Sequence, residues 1–190
     1  MKHYKLIWLV IAINAICFFI PREYFKLLTV QSNETELINV FIQSFAYMFM
    51  SENWMHLLFN MVFLFTMSKL LYVLIPNMLF VIYYVIWGVT IGFLHYLLAH
   101  NGHYTYLIGC SGVLYAFLSY LAFFVGNTKI EVLNSVEMSL FDFGLILVGI
   151  CVIQIAIGNN VWGNIAHLNG IILGLITAVI YKKLKLWQHN

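Results

Sequence analysis

The sequence predicts an all-α membrane protein, a bundle of six transmembrane helices whose fourth helix is short and central. Its composition is 63% hydrophobic and only 8% charged, whereas about a quarter of the residues in a soluble domain are charged. Six apolar runs approach the roughly 17–25 residues that a spanning helix needs. The basic residues also segregate to one side of these runs, as membrane topology requires.

The six apolar runs follow one another in what we expect to be a single domain over residues 1–190. The first run follows Lys2 and Lys5 in the manner of a signal peptide, but it has no small-residue cleavage pattern and ends at Pro21. We therefore expect it to remain as an uncleaved first helix. The predicted helices cover about residues 4–20, 54–75, 78–99, 111–125, 140–157 and 164–181.

The distribution of Lys and Arg predicts that both chain ends lie on the inner, cytoplasmic side. Only Arg22 and Lys26 are then outside. Seven basic residues fall in or beside cytoplasmic segments: Lys2, Lys5, Lys69, Lys129, Lys182, Lys183 and Lys185. The outer loops become residues 21–53, 100–110 and 158–163. The apolar stretch at 45–50 is too short to span, so we expect it to lie in the membrane interface.

The charge and cysteine counts exclude several partners and sites. With 9 Lys and Arg against 7 Asp and Glu, the chain lacks the basic excess of a nucleic-acid-binding protein. Its three cysteines, Cys17, Cys110 and Cys151, are odd in number and have no Cys-x-x-Cys spacing. Neither a disulfide framework nor a cysteine metal site is therefore indicated.

Helix four is too short to cross the bilayer from surface to surface. About 15 apolar residues extend about 22 Å, against a hydrocarbon core of about 30 Å. If the helix ends on the cytoplasmic side at residues 126–129, it starts below the outer surface, and the preceding loop dips into the membrane. Non-helical backbone at that depth is tolerated where it lines a water-filled cavity. The sequence thus predicts Ser111 at the floor of an aqueous pocket inside the bilayer.

The segment Gly109-Cys110-Ser111-Gly112 places a serine at the start of helix four. A serine hydroxyl becomes nucleophilic when a base removes its proton, and His167, expected in the first turn of helix six, is the candidate base. Both helices start at the outer face, so the two residues lie at similar depth. Gly170 and Gly174 follow His167 on the same helical face, where they would let helix six approach helix four closely.

Tyr115 lies one turn after Ser111, placed to pack against an imidazole and hold its orientation. Ala116 and Ser119 continue the small face of helix four that starts at Gly112. No carboxylate lies on these helix faces. We therefore expect a Ser–His dyad rather than a triad.

Helix two supplies candidate hydrogen-bond donors. His56 and Asn60 are four residues apart, so both project from one side of the helix. The backbone N–H of Ser111 lies at a helix start, where it has no intrahelical acceptor. These three N–H groups are predicted to form an oxyanion hole, which stabilises the negative charge that develops during acyl transfer.

Other interpretations of the same residues remain open. Serine, glycine and asparagine in membrane helices are often packing residues. Cys110, beside Ser111, is an alternative nucleophile, but it should face elsewhere at the helix start, so we treat it as a packing residue. A metal or proton pathway is a further alternative, although the chain has no His-Glu-x-x-His motif and no carboxylate cluster. This alternative rests on five histidines toward the outer side: His56, His95, His100, His103 and His167. We assign no role to the middle three.

Three motifs, in chain order, resemble those of the rhomboid intramembrane serine proteases. They are residues 56–60 (His-Leu-Leu-Phe-Asn) on helix two, residues 109–112 at the start of helix four, and Ala166-His167 with Gly170 and Gly174 on helix six. The resemblance covers nearly the whole chain and implies the minimal six-helix form, which suggests a bacterial inner membrane. In the first outer loop, Ile42-Gln43 stand where bacterial members often carry a Trp-Arg pair.

The resemblance implies an endopeptidase that uses no cofactor and no metal. Ser111 and His167 would form its dyad, with Tyr115 stacked on His167, while His56, Asn60 and the Ser111 backbone would hold the oxyanion. Transmembrane protein substrates would enter laterally from the lipid bilayer near helix five and be cut at small residues. An inactive relative that binds membrane clients is the alternative, although such relatives usually lack the serine or the histidine.

Overall fold

The computed structural model describes residues 5–99, 104–132 and 136–184, and most of them are helical. The chain divides into two compact units, Met1–Leu114 and Tyr115–Asn190. An α-helix occupies each of the six predicted apolar runs.

The first unit starts with α1 (Lys5–Cys17), a 3-10 helix (Arg22–Tyr24) and the short α2 (Phe25–Leu28). Helix α1 ends three residues before the predicted position 20. The reason is Pro21, which disfavours helical backbone in the residue before it. The chain bends by 105° between α1 and the segment that follows it.

Helix α3 (Leu37–Ala46) and a 3-10 helix (Tyr47–Phe49) follow. Gln43 and Ser44 on α3 are buried, while the opposite face exposes large apolar side chains: Leu37, Ile38, Phe41, Ile42 and Phe45. The predicted interfacial stretch is therefore the end of a longer amphipathic segment. Its buried face packs closely on α5 (Asn77–Ala99), because a Cβ at Gly92 would lie 2.9 Å from the Ser44 Cα.

Helices α4 (Trp54–Leu74) and α5 (Asn77–Ala99) each agree with the predicted bounds to within one residue. The side chain of Asn53 caps α4 by accepting a hydrogen bond from the His56 N–H at 2.9 Å, which satisfies one of the exposed donors at the helix start.

A short ladder that the sequence did not predict joins the first loop to the loop before α6 (Ser111–Val125). Strand β1 (Val30–Gln31) pairs antiparallel with β2 (Tyr106–Leu107). The Ser32 N–H extends the pairing by donating to the Thr105 carbonyl at 3.0 Å. The segment that leads to α6 is thus held by backbone hydrogen bonds.

Gln43 holds the first loop through hydrogen bonds of its side chain. Its side chain is 1% exposed; its Oε1 accepts from the Gln31 N–H at 3.0 Å. Its Nε2 donates to the Lys26 carbonyl at 3.3 Å and to Glu34 Oε2 at 3.1 Å. A single buried amide therefore fixes three points of the loop.

Helix α6 (Ser111–Val125) has the predicted bounds, and the division between the two units falls after its first turn. In the second unit, β3 (Lys129–Val132) and β4 (Val136–Ser139) form a hairpin. Two backbone hydrogen bonds then tie the start of α7 (Leu140–Ala156) to the end of α6: Leu140 N–H to Thr128 O at 2.9 Å and Phe141 N–H to Gly126 O at 3.0 Å.

Helix α8 (Val161–Lys183) starts three residues before the predicted position 164. The chain enters it through Asn160, whose φ of 44° is left-handed. His167 consequently lies in the second turn of its helix, and the prediction of the first turn was wrong. Helices α7 and α8 are linked where Asn164 Nδ2 donates to Gln154 Oε1 at 2.9 Å.

Two helical segments of the described residues, Met78–Ala99 and Val161–Lys183, are long and apolar enough to span a membrane. The bent pair Lys5–Cys17 and Arg22–Leu28 makes a third if it counts as one span. Shorter apolar helical segments are Leu37–Phe49, Trp54–Ser68, Ser111–Val125 and Leu140–Ala156.

Candidate active site

Gly109 forms the turn from which α6 starts. Its φ of 100° lies in the left-handed region that favours glycine, and its N–H donates to the Tyr47 carbonyl at 2.9 Å. Ser111 is the first residue of α6, as predicted. The backbone thus presents Ser111 at a helix N-terminus, where the first N–H groups have no intrahelical acceptor.

The side chains of His56 and Asn60 occupy the first two turns of α4. The Glu52 N–H donates to His56 Nδ1 at 3.3 Å. Because Nδ1 of a neutral imidazole then acts as the acceptor, its proton is on Nε2. Asn60 is buried, and its Nδ2 has no hydrogen-bond partner among the described residues. Both side chains therefore present N–H donors.

These two donors meet at Gly109. A Cβ on Gly109 would lie 2.5 Å from His56 Cε1, 2.8 Å from His56 Nε2 and 3.6 Å from Asn60 Nδ2. Only glycine leaves room for them. Two N–H groups that converge next to a serine at a helix start match the donor arrangement needed to bind an anionic oxygen.

Cys110, between Gly109 and Ser111, is turned into the interior. The residue is 1% exposed, and its thiol lies near the Tyr84 hydroxyl. The Tyr84 hydroxyl donates to the Met48 carbonyl at 3.3 Å. The burial of Cys110 agrees with the packing role expected for it.

In the second unit, His167 stacks on Tyr115. Their rings are parallel to within 4°, with centroids 4.2 Å apart. The stack fixes the plane of the imidazole, which is the role predicted for Tyr115. It joins the second turn of α8 to the part of α6 that belongs to the same unit.

Cys151 on α7 completes this cluster, and sequence reasoning missed it. Its sulfur lies 3.7 Å from His167 Nδ1 and 3.9 Å from the Tyr115 hydroxyl. The residue lies in the middle of an apolar helix with no motif around it. Only the packing of α7 on α8 reveals its position.

The glycine face of α8 makes the expected close contact with the second-unit part of α6. A Cβ on Gly174 would overlap the Ala116 carbonyl oxygen and the Ser119 hydroxyl. Ser119 Oγ also donates to the Ile171 carbonyl at 3.0 Å. Gly170 is buried one turn before Gly174.

The other histidines are distributed differently. His95 is buried, and its Nε2 lies 3.5 Å from Thr105 Oγ1. His100 and His103 lie outside the described residues. Among the residues that the structure describes, no group of three or more His, Cys, Asp or Glu side chains is arranged to hold a metal ion.

The predicted site residues thus form two clusters, one in each unit. His56, Asn60 and Gly109 come together beside the start of α6, while Tyr115 and His167 come together with Cys151. Ser111 belongs to the first unit and His167 to the second, and their pairing stays a prediction.

Residues 39–184 match the family model of the Rhomboid domain, a stretch that includes every site residue described above. Comparison with curated proteins gave no match.

Proposed function

Because the chain belongs to the rhomboid family, we propose that it is an intramembrane serine endopeptidase that cleaves transmembrane segments of other membrane proteins. Ser111 is its nucleophile and His167 its general base. His56, Asn60 and the Ser111 backbone N–H form its oxyanion hole.

The observation that carries the proposal is the convergence of two donors at Gly109. Asn60 Nδ2 is buried without a partner among the described residues, which is costly unless an acceptor arrives. His56 presents Nε2–H at the same glycine. A substrate carbonyl oxygen that becomes negatively charged beside Ser111 would satisfy both donors, and more strongly in the transition state than before it.

The reaction follows from these roles. Ser111 Oγ attacks the scissile carbonyl as His167 takes its proton, and the oxyanion forms in the donor site. His167 then gives that proton to the leaving amine, which leaves an acyl-enzyme. A water molecule that His167 deprotonates attacks the ester, and the proton returns to Ser111 as the second product leaves.

The protein is an integral multi-pass membrane protein. In the proposed enzyme, six helices span the bilayer as a single domain with both chain ends inside, and α6 starts below the outer surface. Substrates arrive laterally from the lipid past α7, in a bacterial inner membrane. Cysteines placed singly at residues 33 and 127 of a cysteine-free variant should react with a membrane-impermeant maleimide from the outside and the inside, respectively.

Cleavage by the purified protein tests the proposal directly. In detergent, it should cut a model transmembrane substrate and react with a fluorophosphonate probe. Ser111→Ala should abolish both activities, and His167→Ala should abolish cleavage. Cys110→Ala is the matched control beside the nucleophile and should keep activity. Cleavage that survives Ser111→Ala, or a folded wild-type protein that neither cleaves nor reacts, would overturn the proposal.

A further inference from the structure

A histidine acts as a base through one ring nitrogen only when its proton is held on the other. In triads, a carboxylate accepts a hydrogen bond from that second nitrogen and fixes the tautomer. The parallel stack on Tyr115 fixes the plane of the His167 ring, but a stack does not by itself select which nitrogen carries the proton. A hydrogen bond to one of the two ring nitrogens is required for that selection.

The sulfur of Cys151 is in place to make this contact. It lies 3.7 Å from His167 Nδ1 and 3.9 Å from the Tyr115 hydroxyl. A thiol is both a weak acceptor and a weak donor. It can therefore accept from Nδ1–H while its own S–H donates to the Tyr115 oxygen. The position is shielded from water, because Cys151 is 1% exposed.

The neighbouring turn of α7 holds Cys151 at this position. Gln154, three residues later, accepts a hydrogen bond from Asn164 of α8 at 2.9 Å. Residues three apart project from the same side of a helix. Cys151 and Gln154 therefore form two adjacent contacts between α7 and α8, one to the imidazole and one to the helix start.

We propose that Cys151 is a positioning residue of the protease, which holds His167 in the Nδ1–H tautomer and so leaves Nε2 for proton exchange with Ser111. The inference rests on the proposed function for its role in catalysis. The thiol contacts the imidazole where the carboxylate of a triad would, but it is a neutral and weaker hydrogen-bond partner of His167. It transfers no proton and forms no covalent bond in the reaction.

Two variants separate positioning from packing. Cys151→Val keeps a side chain of similar size without a hydrogen-bonding group, and Cys151→Ser keeps the hydrogen-bonding capacity. Cys151→Val should lower kcat about 3- to 10-fold, as loss of a neutral hydrogen bond predicts, with KM unchanged. Cys151→Ser should recover much of that loss. A Cys151→Val enzyme with wild-type kcat, or a serine variant no better than valine, would overturn the inference.

The imidazole nitrogens report the tautomer without any cleavage. In the ¹⁵N NMR spectrum of protein labelled at histidine, the His167 signals are identified by their loss in His167→Gln. We expect a protonated Nδ1 in the wild type and a mixture of tautomers in Cys151→Val. That result supports the hydrogen bond even in a protein that cleaves nothing, in which case the proposed function alone fails. A wild-type spectrum with the proton on Nε2 overturns this inference alone.

Discussion

The two clusters of the candidate site are held in place by different means. In the first unit, backbone fixes the geometry: a glycine at φ 100°, a hydrogen bond to the Tyr47 carbonyl and the β1–β2 ladder. In the second unit, side chains fix it: His167 stacks on Tyr115 and contacts the Cys151 sulfur. The proposed oxyanion donors thus depend on main-chain shape, and the proposed base depends on neighbouring side chains.

This difference predicts different tolerance to mutation. A site defined by backbone cannot accommodate an added Cβ, since the main chain itself would have to move. A site defined by side chains tolerates substitutions that keep the shape of the original side chain. Its activity should fall gradually as the substituted side chains differ more from the original ones. The following predictions test that contrast.

The largest effect is expected from Gly109→Ala. The alanine would be strained at a positive φ, and its Cβ would displace the His56 ring, which lies 2.5 Å away. We expect kcat to fall about 100- to 1000-fold, the usual result of losing an oxyanion donor. Gly149→Ala is the control, because nothing lies within 4 Å of its Cβ position. Equal activities of the two variants would contradict the backbone-defined donor site.

A smaller effect, mainly on stability, is expected from Gly174→Ala. The new methyl group would overlap the Ala116 carbonyl and the Ser119 hydroxyl. Overpacking of this kind typically costs about 1–3 kcal/mol, so the Tm in detergent should fall by several degrees. Gly144→Ala, on an open face of α7, should leave the Tm unchanged. An unchanged Tm in Gly174→Ala would mean that α8 can shift freely.

Replacing Tyr115 tests how gradually activity falls when the proposed base, His167, loses its stacking partner. Tyr115→Leu removes the stacked ring and should lower kcat about 3- to 10-fold, in line with the energy of an aromatic pair. Tyr115→Phe keeps the ring and should retain more activity. Kinetics on one transmembrane substrate measures both. If phenylalanine is as damaging as leucine, the hydroxyl rather than the stack holds the imidazole.

The smallest effect concerns pH and the first loop. The pKa of Glu34 is lowered mainly because the Glu36 N–H donates to its carboxylate. A lowered pKa in the folded state means that the carboxylate stabilises the loop above its unfolded pKa, and that this contribution is lost as pH falls through the folded pKa. Since Glu34 is still partly exposed to solvent, water screens this contribution, and we expect a Tm change of about 1 °C or less.

Glu34→Gln tests this acid sensitivity. The variant should lose less Tm than the wild type between neutral pH and the acid side of the Glu34 titration. Hydrogen exchange of the Gln31 amide, which donates to Gln43, should report the same loosening locally. Identical acid profiles for the two proteins would show that the carboxylate does not hold the loop.

The sequence predicted the elements whose signals are local. Helix α6 starts at Ser111 and ends at Val125 as expected, because Gly109 provides the turn before it and residues 126–127 end its apolar run. The bounds of α4 and α5 follow in the same way from Asn53 and Pro76. Helix α8 was predicted to start at residue 164 but starts at Val161, because the chain enters it through the left-handed turn at Asn160, which the apolar pattern does not reveal.

The remaining features depend on contacts between distant segments. Gln31 and Tyr106 pair across the β1–β2 ladder, but strands of two residues have no readable period. Gln43 was recognised only as a departure from the family pattern, and its three hydrogen bonds follow from the way the loop folds around it. Cys151 likewise gains significance only from the packing of α7 on α8.

The attachment of α7 has a mechanical consequence. Two backbone hydrogen bonds fasten its first residues to the chain at the end of α6, so any tilt of the helix pivots near Leu140. Cys151 lies roughly 16 Å along the helix from that pivot, at about 1.5 Å per residue. Any swing of the far end of α7 therefore carries the sulfur with it, and lateral opening of this helix would withdraw Cys151 from the His167 imidazole until the helix returns.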